Sequence, residues 1–285
     1  MLPRQIDGPK CVLGECPVWD PARRVLSYLD YLKPQAIAFD ERTGRTTSKP
    51  LPLRAPLGGL CLRRSGGYFV FNQDGVHLMS DDLDILATVF LPHPSFSEAP
   101  PNDVCVDAEG RILVATADRL ESRPNAGLFL LSAHGAWHPL VTALTVANGP
   151  TFSNEGNTLY IADSPYGLIY RFSVDAQCRA LDNRQIFAMV PPEEGFPDGL
   201  AIDAAGCPWS ARWGGRAIVQ YSPEGRELAR FRVPARMVTS CAFGGEGLCT
   251  LFITTASEDT PDDLGGHLFQ LAANRPGSIQ PPAAL

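Results

Sequence analysis

Short apolar runs alternate along this chain with turn residues, at a spacing that fits strands and nowhere sustains a capped helical stripe. Val104-Cys105-Val106-Asp107, the turn Ala108-Glu109-Gly110-Arg111 and the run Ile112-Leu113-Val114-Ala115-Thr116 form one such unit. Thr151-Phe152-Ser153, then Asn154-Glu155-Gly156-Asn157 and Thr158-Leu159-Tyr160-Ile161-Ala162-Asp163, form another, and Gly199-Leu200-Ala201-Ile202-Asp203 leads through Ala204-Ala205-Gly206-Cys207 to Pro208-Trp209-Ser210-Ala211 in a third. In each turn an Asp or Asn side chain can accept a backbone hydrogen bond, and Gly supplies the positive φ. With Glu15, Gly59, Asn102, Asn148, Asp198 and Ser240 taken as equivalent, the spacings are 44, 43, 46, 50 and 42 residues. A period of about 40–50 residues is that of a four-stranded propeller blade. Six such units fill 285 residues. The pattern therefore predicts an all-β, six-bladed propeller of four-stranded blades, forming one domain over 1–285 with blades starting near 15, 59, 102, 148, 198 and 240. Ring closure requires residues near Gln5 to Val12 as the outer strand of the last blade, beside His267-Leu268-Phe269-Gln270-Leu271. The stretch from Arg275 on, with Pro276, Pro281 and Pro282, is expected to be loosely held.

The same equivalence locates the candidate chemistry. In a propeller the start of each innermost strand faces the central channel, which brings Glu15, Asn102, Asn148 and Asp198 together from blades one, three, four and five. Asn-Gly and Asp-Gly pairs usually mark turns, but four oxygen-bearing side chains at one repeat phase point to a shared ligand. Two carboxylates and two amides make an oxygen-only set suited to Ca²⁺, Mg²⁺ or Mn²⁺, and able to take zinc or Fe²⁺ if water fills open positions.

Composition narrows the partners. The 24 basic and 31 acidic residues give a net charge of −7, without the basic footprint of a nucleic-acid binder. No apolar run is long enough to span a bilayer, no basic amphipathic helix suggests a membrane surface, and the start Met1-Leu2-Pro3-Arg4 does not read as a signal peptide. The 8 cysteines include no C-x-x-C pair, so reduced structural thiols in a cytoplasmic protein are expected, either a monomer or a small homo-oligomer.

The stretches Leu13-Gly14-Glu15-Cys16-Pro17-Val18-Trp19, Pro101-Asn102-Asp103, Asn148-Gly149-Pro150, Leu159-Tyr160-Ile161-Ala162-Asp163-Ser164, Pro197-Asp198-Gly199-Leu200 and Cys241-Ala242-Phe243-Gly244-Gly245 span nearly the whole chain. In these the sequence resembles the senescence-marker-protein/gluconolactonase family, also called regucalcin-like. Trp209-Ser210-Ala211-Arg212-Trp213-Gly214-Gly215 adds a likeness to its bacterial sugar-lactone hydrolases. The resemblance implies one divalent metal ion held by Glu15, Asn148 and Asp198, with Asn102 on the substrate or completing the metal shell. It further implies a small-molecule lactone as substrate, opened by a metal-activated water with Asp198 as catalytic base. Many members carry an arginine two residues before the asparagine, where this chain has Pro100, which offers no donor. Arg212, Arg119 or Arg123 are the candidates to replace it, with Asp118 as a hydroxyl acceptor; Arg212 and Asp118 are taken here as substrate-binding beside Asn102.

Rival mechanisms lack their residues. There is no Gly-x-Ser-x-Gly elbow, P-loop or H-E-x-x-H. His134 and His138 flank Gly135 and Ala136, which suggests a hairpin rather than a zinc-bearing helix. A paraoxonase-like esterase would place a histidine near the metal, and none falls at a repeat start. A non-catalytic metal- or ligand-binding propeller is the alternative from a different class.

Overall fold

Two kinds of strand follow from the apolar pattern. Uninterrupted runs such as Gly14–Asp20 and Ile112–Thr116 are buried along their whole length, whereas Arg45–Pro50 and Glu227–Arg232 are mostly exposed. The computed structural model of the chain describes residues 2–175, 180–257 and 264–285. Its strands form six four-stranded antiparallel sheets arranged as the blades of a propeller, with short 3₁₀ turns as the sole helical elements among the described residues. Blade one comprises Gly14–Asp20, Val25–Asp30, Gln35–Asp40 and Arg45–Pro50 from axis to rim. The innermost strands of the next five blades are Leu57–Leu62, Pro101–Val106, Ala147–Phe152, Phe196–Ile202 and Met237–Gly244. The last blade is completed from the other end of the chain: Arg4–Ile6 pairs with Leu268–Ala272, Arg4 opposite Gln270. The closing strand thus lies at the start of the expected region, and Cys11 beyond it is tied down by its N–H to Gly266 O, 2.8 Å.

Burial on both faces has a clear origin. Among the described residues the core is divided: six apolar clusters fill the six interfaces between neighbouring blades. Trp19 and Phe39 of blade one meet Phe252 of blade six, with the Trp19 and Phe252 rings stacked at 5.6 Å. Leu29 packs with Leu60 and Val70 of blade two, and Tyr160 of blade four with Tyr221 of blade five. Inner strands lie between two such clusters and so carry no polar alternation. Outer strands border solvent and do.

The hairpins turn as their sequences require. Asp107 accepts the N–H groups of Glu109 at 3.0 Å and Arg111 at 2.9 Å, while Gly110 has φ 85°. Asp203 does the same for Ala205 and Cys207, with Gly206 at φ 75°. The described cysteines form no disulfide, and Cys178 lies outside the described residues. Among the described residues no helix is long and apolar enough to cross a membrane.

The C-terminal stretch corrects the expectation of a loose tail. It runs across the end of the channel away from Glu15 and bonds to blades two, three, five and six. Ala204 N–H donates to Pro276 O (2.9 Å), Gly277 N–H to Leu248 O (2.8 Å), Ser278 N–H to Ile202 O (2.9 Å) and Ala284 N–H to Gly110 O (2.8 Å). Ala283 forms a parallel bridge with Arg63 and is fully buried. Gly277 lies so close to Phe243 that an added Cβ would fall 1.7 Å from its ring. The prolines that suggested disorder instead pre-set φ and reduce the entropy lost on docking.

Candidate active site at one mouth of the channel

A single device recurs in all six blades, and in four of them it brings a side chain into the mouth. Every innermost strand loses register with its neighbour near the mouth, between Glu15 and Val18, Leu57 and Gly59, Pro101 and Asp103, Asn148 and Thr151, Pro197 and Leu200, and Val238 and Ser240. A bulge inserts an unpaired residue and redirects its side chain. The six positions equated in the sequence all fall at these bulges. Gly149 and Gly199 are therefore not hairpin residues. A Cβ on Gly199 would lie 2.1 Å from Ser240 Oγ, and one on Gly149 2.5 Å from Leu200 N, so both glycines let adjacent blades close on the axis.

Glu15, Asn102, Asn148 and Asp198 line one cavity of about 470 Å³ at this mouth. A chain of hydrogen bonds orders the amides. The Tyr31 hydroxyl donates to Asn102 Oδ1 (3.0 Å), and Asn102 Nδ2 donates to Asn148 Oδ1 (2.6 Å) and Ala147 O (3.1 Å). Asn148 Nδ2 donates to Ser164 Oγ (2.9 Å), which donates to Pro197 O (2.7 Å). Asn148 Oδ1 thus keeps one lone pair free.

The two carboxylates have no cationic partner. Glu15 Oε2 accepts the Cys16 N–H at 3.0 Å, and no lysine or arginine among the described residues forms an ion pair with Glu15 or Asp198. Burial, followed by the charges of Asp198 and Asp103, holds the Glu15 carboxyl well above the usual carboxylate range. Burial and then Asp103 do the same to Asp198. Asp103 itself is pushed up to about 6 by burial, and its oxygens are spent on the N–H groups of Val104 (2.7 Å) and Gly149 (2.8 Å), tying blade three to the bulge of blade four. Two desolvated like charges beside two oriented amides fit a hard divalent cation, which would offset both their repulsion and their lost hydration. No group of three His, Cys, Asp or Glu side chains able to hold a metal occurs among the described residues. A site drawn from this set would have to combine carboxylates with amides, and contains none of the softer nitrogen or sulfur ligands.

The other sequence candidates divide. Asp118 lines the cavity wall, but Ser122 N–H (3.0 Å), Arg123 N–H (3.1 Å) and the Arg123 guanidinium (3.1 Å) already occupy its oxygens. Those bonds, led by the Ser122 N–H, lower it to about 2. Arg212 is placed elsewhere, which corrects its reading as a substrate ligand. It is fully buried inside blade five, its guanidinium bonded to Ser210 Oγ and the Tyr221 hydroxyl. Alternation along the strand is the reason: Arg212 turns to Ser210 and Tyr221 of its own blade, while Trp213, the next residue, lines the cavity. Arg119 lines it as well, and Pro100 forms wall there. His134 and His138 are exposed on a blade-three hairpin closed by Ser132 N–H to Ala136 O.

Sequence reasoning missed Tyr31 and Ser164. A signal was present: Leu29-Asp30-Tyr31 and Ala162-Asp163-Ser164 end the second strands of blades one and four at the same phase. Asp30 accepts the N–H groups of Val12 (2.8 Å) and Leu13 (3.2 Å), and Asp163 those of Thr145 (3.0 Å) and Val146 (3.1 Å), so each aspartate holds the approach to its innermost strand and leaves the next residue at the mouth.

A larger cavity of about 700 Å³ opens at the opposite end, lined by Trp19, Phe152, Phe243 and Ile279, with Cys241 its sole titratable side chain. Its size exceeds that of the mouth, but its lining includes amides and hydroxyls without any carboxylate, histidine, lysine or arginine, whereas the Glu15 end combines carboxylates with amides.

Comparison with known proteins shows the family and the fold. Residues 13–257 match the family described as the SMP-30/Gluconolactonase/LRE-like region. A 6-deoxy-6-sulfogluconolactonase from Pseudomonas putida is 32% identical over 277 residues, 95% of this chain and 94% of that protein. A pentonolactonase from Haloferax volcanii is 31% identical over 292 residues, 97% of each. The crystal structure of a calcium-binding protein, regucalcin from Agrobacterium tumefaciens, superposes with a TM-score of 0.91 at 25% identity, covering 99% of this chain and 97% of that one.

Proposed function

This chain belongs to the SMP-30/gluconolactonase/LRE-like family, and from that premise we propose that it is a divalent-cation-dependent lactonase opening a sugar-acid lactone to its hydroxy acid. The observation that carries the proposal is the meeting of Glu15, Asn148 and Asp198, from three separate blades, in one cavity without a cationic partner. The relatives named as lactonases of sugar acids support the substrate class.

Glu15, Asn148 and Asp198 would hold the ion. Once bound, it supplies Lewis-acid polarisation of the lactone carbonyl and lowers the pKa of water. The chain's own residues do the rest. Asp198 takes the proton of the attacking water as general base and returns it to the ring oxygen as the ester C–O bond breaks. Asn102 is held by Tyr31 and turns its amide toward Asn148, which places it to orient the ring hydroxyls. Asp118, with its oxygens bonded to its own loop, shapes the wall and offers only its remaining lone pairs to substrate. Phe196 and Trp213 provide apolar surface against which a ring can pack.

A pH-stat assay over a panel of aldonolactones tests this. Acid release abolished by EDTA and restored by a divalent cation is the expected result. Cation binding with no turnover of any lactone would identify a binding protein instead.

A further inference from the structure

The mouth has a charge asymmetry that the hydrolytic roles do not use. Pro100 contributes no donor to the wall, and of the side chains lining the cavity only Arg119 is cationic. Its loop position is fixed by its N–H to Glu98 O (3.2 Å). The guanidinium is anchored through Nε to Ser97 O (2.6 Å) and through Nη2 to Gln73 Oε1. Both acceptors are neutral, and among the described residues no carboxylate forms an ion pair with Arg119. Arg123 is the opposite case: its guanidinium is consumed by Asp118 at 3.1 Å and Glu98 at 3.2 Å, and it lies outside the lining. Arg119 thus keeps its full charge and three of its five N–H donors, in a group whose direction is already set.

We propose that Arg119 determines specificity by selecting lactones that carry a free carboxylate away from the ring. The planar fork of a guanidinium matches a carboxylate in two parallel hydrogen bonds. Glu121, on the same loop and in the same lining, sets the upper limit on charge: it opposes any anion and does so most strongly for a dianion, which disfavours a phosphate. The preferred substrate is then the monolactone of a dicarboxylic sugar acid, ring at the Glu15–Asp198 end and carboxylate at Arg119. This selection rests on the lactonase function proposed above.

The experiment compares the cation-loaded enzyme on an aldaric acid monolactone and on the neutral aldonolactone of the same ring size and configuration. The wild-type protein prefers the acidic lactone, chiefly through KM. Arg119→Gln cuts the ratio of the two kcat/KM values by about tenfold, the scale of one partly solvated charge-assisted hydrogen bond. Arg119→Lys retains a portion that disappears in high salt, because a point charge is screened where a fork is also lost. Glu121→Gln raises the ratio. An Arg119→Gln ratio equal to that of the wild type overturns the proposal. If the wild-type protein opens no lactone, the lactonase function fails, and selection is read from calorimetric binding of the open-chain dicarboxylate against the monocarboxylate. A dicarboxylate preference lost in Arg119→Gln supports the role of Arg119, and an unchanged preference contradicts it.

Discussion

The same six innermost strands build both ends of the channel, yet the two ends differ in nearly every property that matters for chemistry. At the mouth each strand carries a bulge, and four of the six bulges bring carboxylate or amide oxygens into the cavity. At the far end the strands are regular, their side chains are mostly apolar and include no charged group, and the C-terminal segment lies across them. Local sequence decides which end becomes a site. A bulge costs a ladder hydrogen bond and gains a redirected side chain, whereas regular pairing gains packing and redirects nothing. Reactivity and stability are thus separated along one axis, and variants at the two ends should fail in different ways.

The largest separation is expected from Asp198→Asn. It removes the base but keeps the shape and an oxygen donor, so turnover of lactone should fall by at least about a hundredfold with thermal unfolding nearly unchanged. Initial rates beside a calorimetric scan check this, and a variant that keeps its rate removes Asp198 from the mechanism. Glu15→Gln should raise the cation concentration needed for half-maximal rate more than it lowers the rate at saturation, as expected for a ligand that is not the base.

Ending the chain at Arg275 should act in reverse. It removes backbone hydrogen bonds to four blades and the buried Ala283. Each such bond contributes about 1 kcal/mol net, and ordering the segment offsets part of that, so a loss of a few kcal/mol and a Tm drop of several degrees follow. Gly277→Val tests the same docking by steric clash with Phe243, without shortening the chain. In both variants the rate per folded molecule should hold. A lost rate with an unchanged Tm would show that the far end shapes the site.

A smaller effect belongs to Asp118. Its carboxyl is lowered to about 2 by the Ser122 and Arg123 N–H groups and the Arg123 guanidinium. A depressed folded-state pKa stabilises above the unfolded value of about 3.9 and loses that contribution as pH falls through the folded value. The difference in urea midpoint between the wild-type protein and Asp118→Asn should therefore be constant from neutral pH to about pH 5 and shrink between about pH 4 and pH 2. Smallest of all, Tyr31→Phe releases one bond to Asn102, and should raise KM a few-fold with little change in kcat.

The blade period was legible because each hairpin carries its own turn chemistry: Asp107 with Gly110, and Asp203 with Gly206, repeat one local solution that needs no tertiary information. Glu15, Asn102, Asn148 and Asp198 were legible through that period, since equal phase means equal height on the axis. Arg212 was misplaced by a single residue's worth of alternation, a difference that depends on strand register and not on motif. The C-terminal segment was misread because its prolines mark loops in sequence, while its partners, Leu62, Gly110, Ile202 and Leu248, are far away along the chain. Tyr31 and Ser164 follow the second strands of their blades, outside the innermost-strand phase that marks Glu15 and Asn148.

The proposed function depends on three blades sharing one ion. Crystals soaked in Mn²⁺ and measured for anomalous scattering test this most directly, alongside crystals of Glu15→Gln and Asp198→Asn. One peak per chain within ligand distance of Glu15, Asn148 and Asp198, lost or weakened in both variants, is the predicted result. No peak there, or one that persists unchanged in both variants, would contradict it.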